Sequence, residues 1–439
     1  MCLNSKRMFS GVEMPHNSRA RRAATAIAGA VAVALVLVAC SGDGASVVPE
    51  VPEQVDAVLP AETQQQLQGA VEQAMVATGS TGAIVGVWAP WSGSWVAGLG
   101  SSTPGGEEVT TDMRFRVGNV TRAMTCDVLD AVAAAGTVSR DDSVTEWITG
   151  MTGYEDVTLE QLCDSTSGVA PFTGTITPRL MATPERTWSP KELASYGMGA
   201  ARTGAPGAAF ADSDTGYVLL GLALERATSM SAAEMYEKYV TDPLGLEDTV
   251  LPAGTSDLAE AKTPMLHGLF SHNTPEGAVN CAEPADYTSL SSSAGYTASG
   301  VISDIDDLGV YLQALATGAL PGAEDRFAAP LPAAADAPAW FTADGGAYQA
   351  GSLVGQFGAV PGYITGGFAD ADTGMTVAVV LNNSTANANI GAYLAWELAA
   401  IASKAPAASG QTAPPAGLPW TAEQYAETIA AAAVCAPAE

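Results

Sequence analysis

Phe115-Arg-Val-Gly-Asn-Val-Thr-Arg-Ala-Met-Thr125 opens a run with helical spacing. Val120, Ala123, Met124, Val128, Leu129 and Val132 recur at intervals of three and four, the spacing of one apolar helix face. Gly118 lets the chain turn sharply into that helix, and Asn119 then falls at its first turn. An apolar helix in mid-chain is a natural core element for a large domain. Its first turn is also a place where proteins set nucleophiles, although a buried helix with an ordinary Asn cap would read the same way.

The chain has 439 residues, 47% of them hydrophobic, enough for a substantial core. Its charge is one-sided, with 18 basic residues against 47 acidic. Residues 1–39 hold five of the basic residues and one acidic residue, so the remainder carries 13 against 46, a net of −33. Such a surface repels nucleic acid and anionic headgroups, and neither is expected as a partner. Arg19, Arg21 and Arg22 precede the apolar stretch 23–39, which is too short for a comfortable membrane span. The stretch ends Leu37-Val38-Ala39-Cys40-Ser41, which resembles the lipobox of bacterial lipoproteins. The expectation is a signal peptide over 1–39 and lipidation of Cys40. The chain would then be held at the outer face of the cytoplasmic membrane. An uncleaved anchor with an incidental Cys is the alternative.

Beyond Cys40, residues 41–58 are small, acidic and Pro-containing, as in a tether. A Gln-rich amphipathic helix is expected over 61–77. A hairpin follows, with runs 82–88 and 94–99 around Pro90, Ser92 and Gly93. Thr158 reads as a helix cap, Ser303 as another, and two strands are expected around the turn 370–374, then a helix over 386–403. Residues 404–420 are rich in Ala, Pro and Gly and read as a linker, and 420–435 as a short amphipathic segment.

Taken together, these landmarks resemble the serine β-lactamase, D-alanyl-D-alanine carboxypeptidase and esterase superfamily. There the opening stretch reads close to Phe-Arg-Ile-Gly-Ser-x-x-Lys, with Ser as nucleophile and Lys helping to take its proton. Val157 to Gly168 resembles the family's Val-Thr-Leu-x-x-Leu-Leu-x-His-Thr-Ser-Gly, with Ser165 at the His. Phe210 to Tyr217 stands where the family has Phe-x-Tyr-Ser-Asn-x-x-Tyr, and Gly355 to Tyr363 where it has Gly-His-x-Gly-x-x-Pro-Gly-Tyr. Ala294-Gly295 resembles the start of the family's Ala-Gly-Gly segment. The resemblance runs over roughly 60–403, with the landmarks in order. It implies an α/β fold in which an antiparallel sheet from both chain ends is flanked by helices, with a mostly helical lobe inserted. The domain would span 59–403.

The reactive positions are changed. Asn119 stands at the nucleophile, Arg122 at the Lys, Asp212 at the Tyr, Asp214 at the Asn and Gln356 at the His, while Gly358 is kept. An Asn amide is not a useful nucleophile, and Arg stays protonated and cannot act as a base. None of the five lysines has a Ser three residues upstream, and no Gly-x-Ser-x-Gly elbow occurs. Thr121 and Ser213 are the nearest displaced hydroxyls. His267 and His272 are the two histidines beyond the signal, at a spacing poorly suited to a shared metal, and no metal or organic cofactor is expected. The resemblance brings the first helix turn and the 212–214 loop together, so Arg122 is expected to face both Asp212 and Asp214, with a bidentate Arg–Asp pair filling the old site.

Four cysteines follow Cys40, which allows two disulfides in three pairings, or free thiols. The resemblance favours Cys126 with Cys163 and Cys281 with Cys435. The function expected is a non-catalytic, lipid-anchored relative that binds an envelope ligand or partner, a peptidoglycan stem peptide or an envelope protein. The alternative is a working serine hydrolase, a carboxypeptidase, β-lactamase or esterase, with a rearranged site.

Overall fold

The structure is a computed structural model that describes residues 46–252, 264–415 and 417–435. The signal segment and Cys40 lie outside the described residues. No described helix is long and apolar enough to cross a membrane.

An eight-stranded antiparallel sheet organises the molecule. Its strand order is Gly93–Gly100, Gly82–Ala89, Thr376–Leu381, Tyr363–Asp370, Leu353–Val360, Ala347–Ala350, Phe341–Asp344 and Leu331–Pro332. The hairpin Gly82–Gly100 comes from the start of the domain and pairs in the middle of the sheet with Thr376–Leu381 from its end. Strand alternation divides the core in two. Ile84 faces Met124, Leu129 and Leu312. Ala83, Val85 and Val87 face Leu67, Leu394 and Trp396. Helices Ala61–Thr78, Asn389–Ala402 and Ala422–Ala431 cover that second face. Helices Val120–Ala134 and Ile305–Thr317 cover the first, and the helical lobe packs beyond them. Each large side chain so buried contributes about 1.5–3 kcal/mol.

The expected α/β architecture, an antiparallel sheet flanked by helices with a helical lobe, is what the chain adopts. Several details differ. Three long strands, not two, lie between 353 and 381, and the hairpin 341–350 extends the sheet further. Ser303 is not a cap. It lies in a short strand and shares a hydrogen bond with Thr249, while Asp304 caps helix Ile305–Thr317 by accepting from the Asp307 N–H at 2.8 Å. Thr158 caps its helix as expected, in a reciprocal box with Gln161.

Residues 46–58 lie along the domain, with the Val47 and Val55 N–H groups donating to Pro243 and Pro90 carbonyls. The start of the expected linker, residues 404–408, is also tied down, because the Trp91 indole donates to the Ala405 carbonyl at 3.0 Å, Ser92 to the Pro406 carbonyl at 2.7 Å and the Ala408 N–H to the Trp91 carbonyl at 2.9 Å. Both favoured disulfides are present, Cys126–Cys163 and Cys281–Cys435. The second spans 154 residues and pins the segment after helix Ala422–Ala431 to the loop before Ala285.

Two predictions follow from this construction. Replacing Cys281 and Cys435 together by Ser should lower stability by about 2–4 kcal/mol and open 404–420 to protease. Thermal melting and mapping of the first cleavage check both effects. The second concerns pH. Burial, and then the neighbouring Asp344 and Glu160 carboxylates, push Asp164 up to about 7, and burial with Glu423 pushes Glu397 up to about 7. Between pH 4 and 7 the native state therefore holds protons that the unfolded chain has released, so stability falls as pH rises through that window and levels off above it. An Asp164→Asn, Glu397→Gln variant should show a flatter profile in denaturant titrations at pH 4.5, 5.5 and 7.

Candidate active site

The turn into helix Val120–Ala134 is made by Gly118, whose φ of +56° is the left-handed region. Asn119 follows in helical geometry and its side chain caps nothing. The carboxamide lies instead against the strand Leu353–Val360. A Cβ added at Gly358 would come within 2.5 Å of Asn119 Nδ2, so glycine there makes the approach possible. The Asn119 amide makes no hydrogen bond among the described residues and lines a cavity of about 330 Å³.

Arg122 sits one turn further on and is 6% exposed. Its Nη1 pairs with Asp212 Oδ1, its Nε donates to the Ala298 carbonyl at 3.4 Å, and its guanidinium lies 5.1 Å from the Tyr217 ring centre. Burial disfavours the cation, but the Asp212 charge and hydrogen bond outweigh it and raise its pKa above the ordinary arginine value. The contact is through one guanidinium nitrogen and one carboxylate oxygen, not the expected bidentate fork.

Asp214 does not join the pair. It accepts from the Phe172, Thr173 and Thr215 N–H groups at 2.7, 2.9 and 2.7 Å, and from the Thr173 hydroxyl. It thereby holds the start of helix Thr173–Ala182 in place of a local cap, since Phe172 supplies none. Burial nonetheless holds its pKa above the usual carboxylate range, opposed by Arg122 and these donors. Gln356 is turned away from the cavity. Its Nε2 donates to the Gly346 carbonyl at 2.8 Å and its Oε1 accepts from the Phe357 N–H, so it braces the adjoining hairpin. Ser165, at the family's His, has φ of +55° and donates to the Tyr217 hydroxyl at 3.0 Å.

The displaced hydroxyls are committed to the fold. Thr121 is fully buried and accepts from the Val301 N–H at 3.1 Å. Ser213 is 1% exposed and caps helix Asp214–Thr228 through the Gly216 N–H. His267 bonds Asp286 at 2.6 Å and His272 bonds the Tyr287 hydroxyl at 2.8 Å, and neither lines the cavity. Among the described residues no histidine or lysine lines it, and no group of three or more His, Cys, Asp or Glu is placed to hold a metal.

The structure adds residues the motifs did not single out. Arg116, 2% exposed, lies in the cavity wall and donates to Ser292 Oγ at 2.6 Å and to the Leu290 carbonyl. It has no carboxylate partner among the described ion pairs, and burial lowers its pKa. Ser291, Ser292 and Ser299 share the wall with it. The serine run 291–293 before Ala294-Gly295 was a signal available in the sequence.

The family model described as Beta-lactamase matches residues 67–400. The fold is similar to that of a D-stereospecific amidohydrolase from Streptomyces sp., at 26% identity and TM-score 0.62, over 74% of this chain and 94% of that one. It is also similar to a D-amino acid amidase from Ochrobactrum anthropi SV3, at 19% identity and TM-score 0.63, over 77% and 99%. An octameric penicillin-binding protein homologue from Pyrococcus abyssi matches at 19% identity and TM-score 0.65, over 77% of each chain. With the family model matched over residues 67–400, most of its length, the chain belongs to the beta-lactamase family.

Proposed function

We propose that this chain binds an envelope ligand in the family cavity without turning it over by serine–lysine chemistry. One observation carries the reading: the cavity wall holds the unbonded Asn119 carboxamide and Arg122 paired with Asp212, at the positions where the sequence resemblance places nucleophile and base. Acyl transfer needs a hydroxyl that attacks a carbonyl and a base that takes its proton. Asn119 offers a carboxamide that donates and accepts hydrogen bonds, and Arg122 a cation that keeps its proton. Losing the nucleophile alone removes on the order of a million-fold in turnover. The cavity retains size, a free amide and serine hydroxyls, which suit recognition of a peptide-like ligand. On this reading the protein is exported, anchored through lipid on Cys40, and meets a peptidoglycan stem peptide or an envelope protein; nucleic acid is not a partner.

The second reading is an amide or ester hydrolase with a rearranged site. The amidohydrolase and amidase among the similar structures favour it. So does Thr173, whose hydroxyl is bonded to the buried Asp214 carboxylate at the cavity wall.

Labelling of the full-length chain with a fluorescent penicillin and a fluorophosphonate separates the two. The binding reading expects no covalent adduct on the wild type and an adduct on an Asn119→Ser, Arg122→Lys variant. A stoichiometric wild-type adduct, lost in Thr173→Val, would establish the rearranged hydrolase instead. A further prediction concerns the pair itself. Asp212→Ala leaves Arg122 buried without its counter-charge and should cost about 2 kcal/mol in denaturant unfolding. This is less than for a fully buried pair, because the Asp212 side chain is 44% exposed. An unchanged midpoint would show that Arg122 is satisfied without Asp212.

A further inference from the structure

A cluster of aromatic residues gathers on the sheet face opposite the candidate active site. Trp396 is their centre, with ring centres of Phe341, Tyr425, Trp420 and Trp340 between 5.1 and 5.7 Å away. A pocket of about 310 Å³ opens among Trp340, Phe341, Phe357, Tyr393, Trp396 and Tyr425. One wall is helix Asn389–Ala402. The other is helix Ala422–Ala431, which lies beyond the family match at 67–400 and is pinned by Cys281–Cys435. The pocket is therefore a product of this chain's own C-terminal segment.

Its polar groups are neutral; the Thr428 hydroxyl donates to the Gln424 carbonyl at 2.8 Å, and others are uncommitted. Trp396 is 3% exposed, and its indole N–H has no hydrogen-bond partner among the described residues. The carboxamides of Asn389 and Gln424 line the pocket and bond to nothing among the described residues. Among the described residues no Asp, Glu, Lys or Arg lines it. A purely apolar side chain would fill the space but leave the donors unpaired. From Phe357 a cross-strand ladder continues, with Tyr348 stacked at 4.8 Å and Phe341 on Tyr348 at 5.3 Å. Phe210 meets Tyr348 edge-on at 5.7 Å, two residues before Asp212.

We propose that this pocket binds a neutral glycosyl unit of a polysaccharide chain. A pyranose ring sets its weakly positive C–H face on electron-rich aromatic faces. Its equatorial hydroxyls both donate and accept, which suits the two carboxamides.

The test is calorimetric titration of the full-length chain with tetra-N-acetylchitotetraose and with maltotetraose, read in parallel by tryptophan fluorescence. The apolar dipeptide amide acetyl-Phe-Leu-NH2 is the control. The expected result is saturable binding of at least one tetrasaccharide with a change in tryptophan emission. An Asn389→Ala, Gln424→Ala variant should weaken it at least about tenfold without moving the melting temperature. Tyr393→Ala should weaken it comparably. Failure of both sugars to bind overturns the proposal, as does sugar binding that the double variant retains. Preferential binding of the dipeptide amide would assign the pocket to peptide. None of these outcomes depends on whether the cavity at Asn119 is catalytic.

Discussion

Three charged side chains on one buried helix set the terms for much of this molecule. Every residue from Val120 to Val132 is buried, and among them are Arg122, Asp127 and Asp130. An isolated charge in such a place costs several kcal/mol, so each must meet an opposite charge with well-made hydrogen bonds. Arg122 meets Asp212 from the loop before helix Asp214–Thr228. Asp127 meets Arg326 and accepts from the Tyr311 hydroxyl at 2.6 Å. Asp130 meets Arg140 from the turn that follows the helix itself. Three separate stretches of chain are thus fixed to one helix by charge. Arg326 ties in a fourth, because its remaining nitrogens donate to the Ala123 and Gly345 carbonyls at 2.6 and 2.7 Å.

This arrangement bears on the cavity. Arg122 and Asp212 form an ion pair at the cavity wall, and the Asp212 charge raises the Arg122 pKa against the effect of burial. Asp214, although its charge still reaches Arg122, is taken up by the start of helix Thr173–Ala182. A carboxylate that accepts several N–H groups is well satisfied and has little to offer a second partner. That is the physical reason the expected three-charge cluster became a pair with a separate cap.

The frame of the fold could be read from the residues because its markers are local. A glycine before a helix, a Thr three residues before a Gln, and alternating apolar runs around a turn each act within a few positions. The short strands of hairpin 341–350 escaped notice because Ala, Asp and Gly dilute their pattern, and they are held by pairing with Leu353–Val360 rather than by their own propensity. The identities at the cavity were equally legible, Asn119 and Arg122 above all. Orientation was not. Gln356 and Gly358 share a strand face, yet the long Gln side chain reaches back to the Gly346 carbonyl while Gly358 leaves room for Asn119. Arg116 stood in the opening motif, but no spacing reveals that its charge is buried in the cavity wall without a carboxylate partner.

The two disulfides have a consequence for assembly. Cys126, Cys163, Cys281 and Cys435 pair first with second and third with fourth along the chain. For a chain threaded outward from its N-terminus, each thiol that emerges unpaired finds its native partner in the next one to appear. Oxidation in order of emergence then yields both native bridges, and reshuffling of wrong pairs is not required. The last of these thiols is Cys435, so helix Ala422–Ala431 and the aromatic wall it builds are locked in place only after that residue has been made and oxidised.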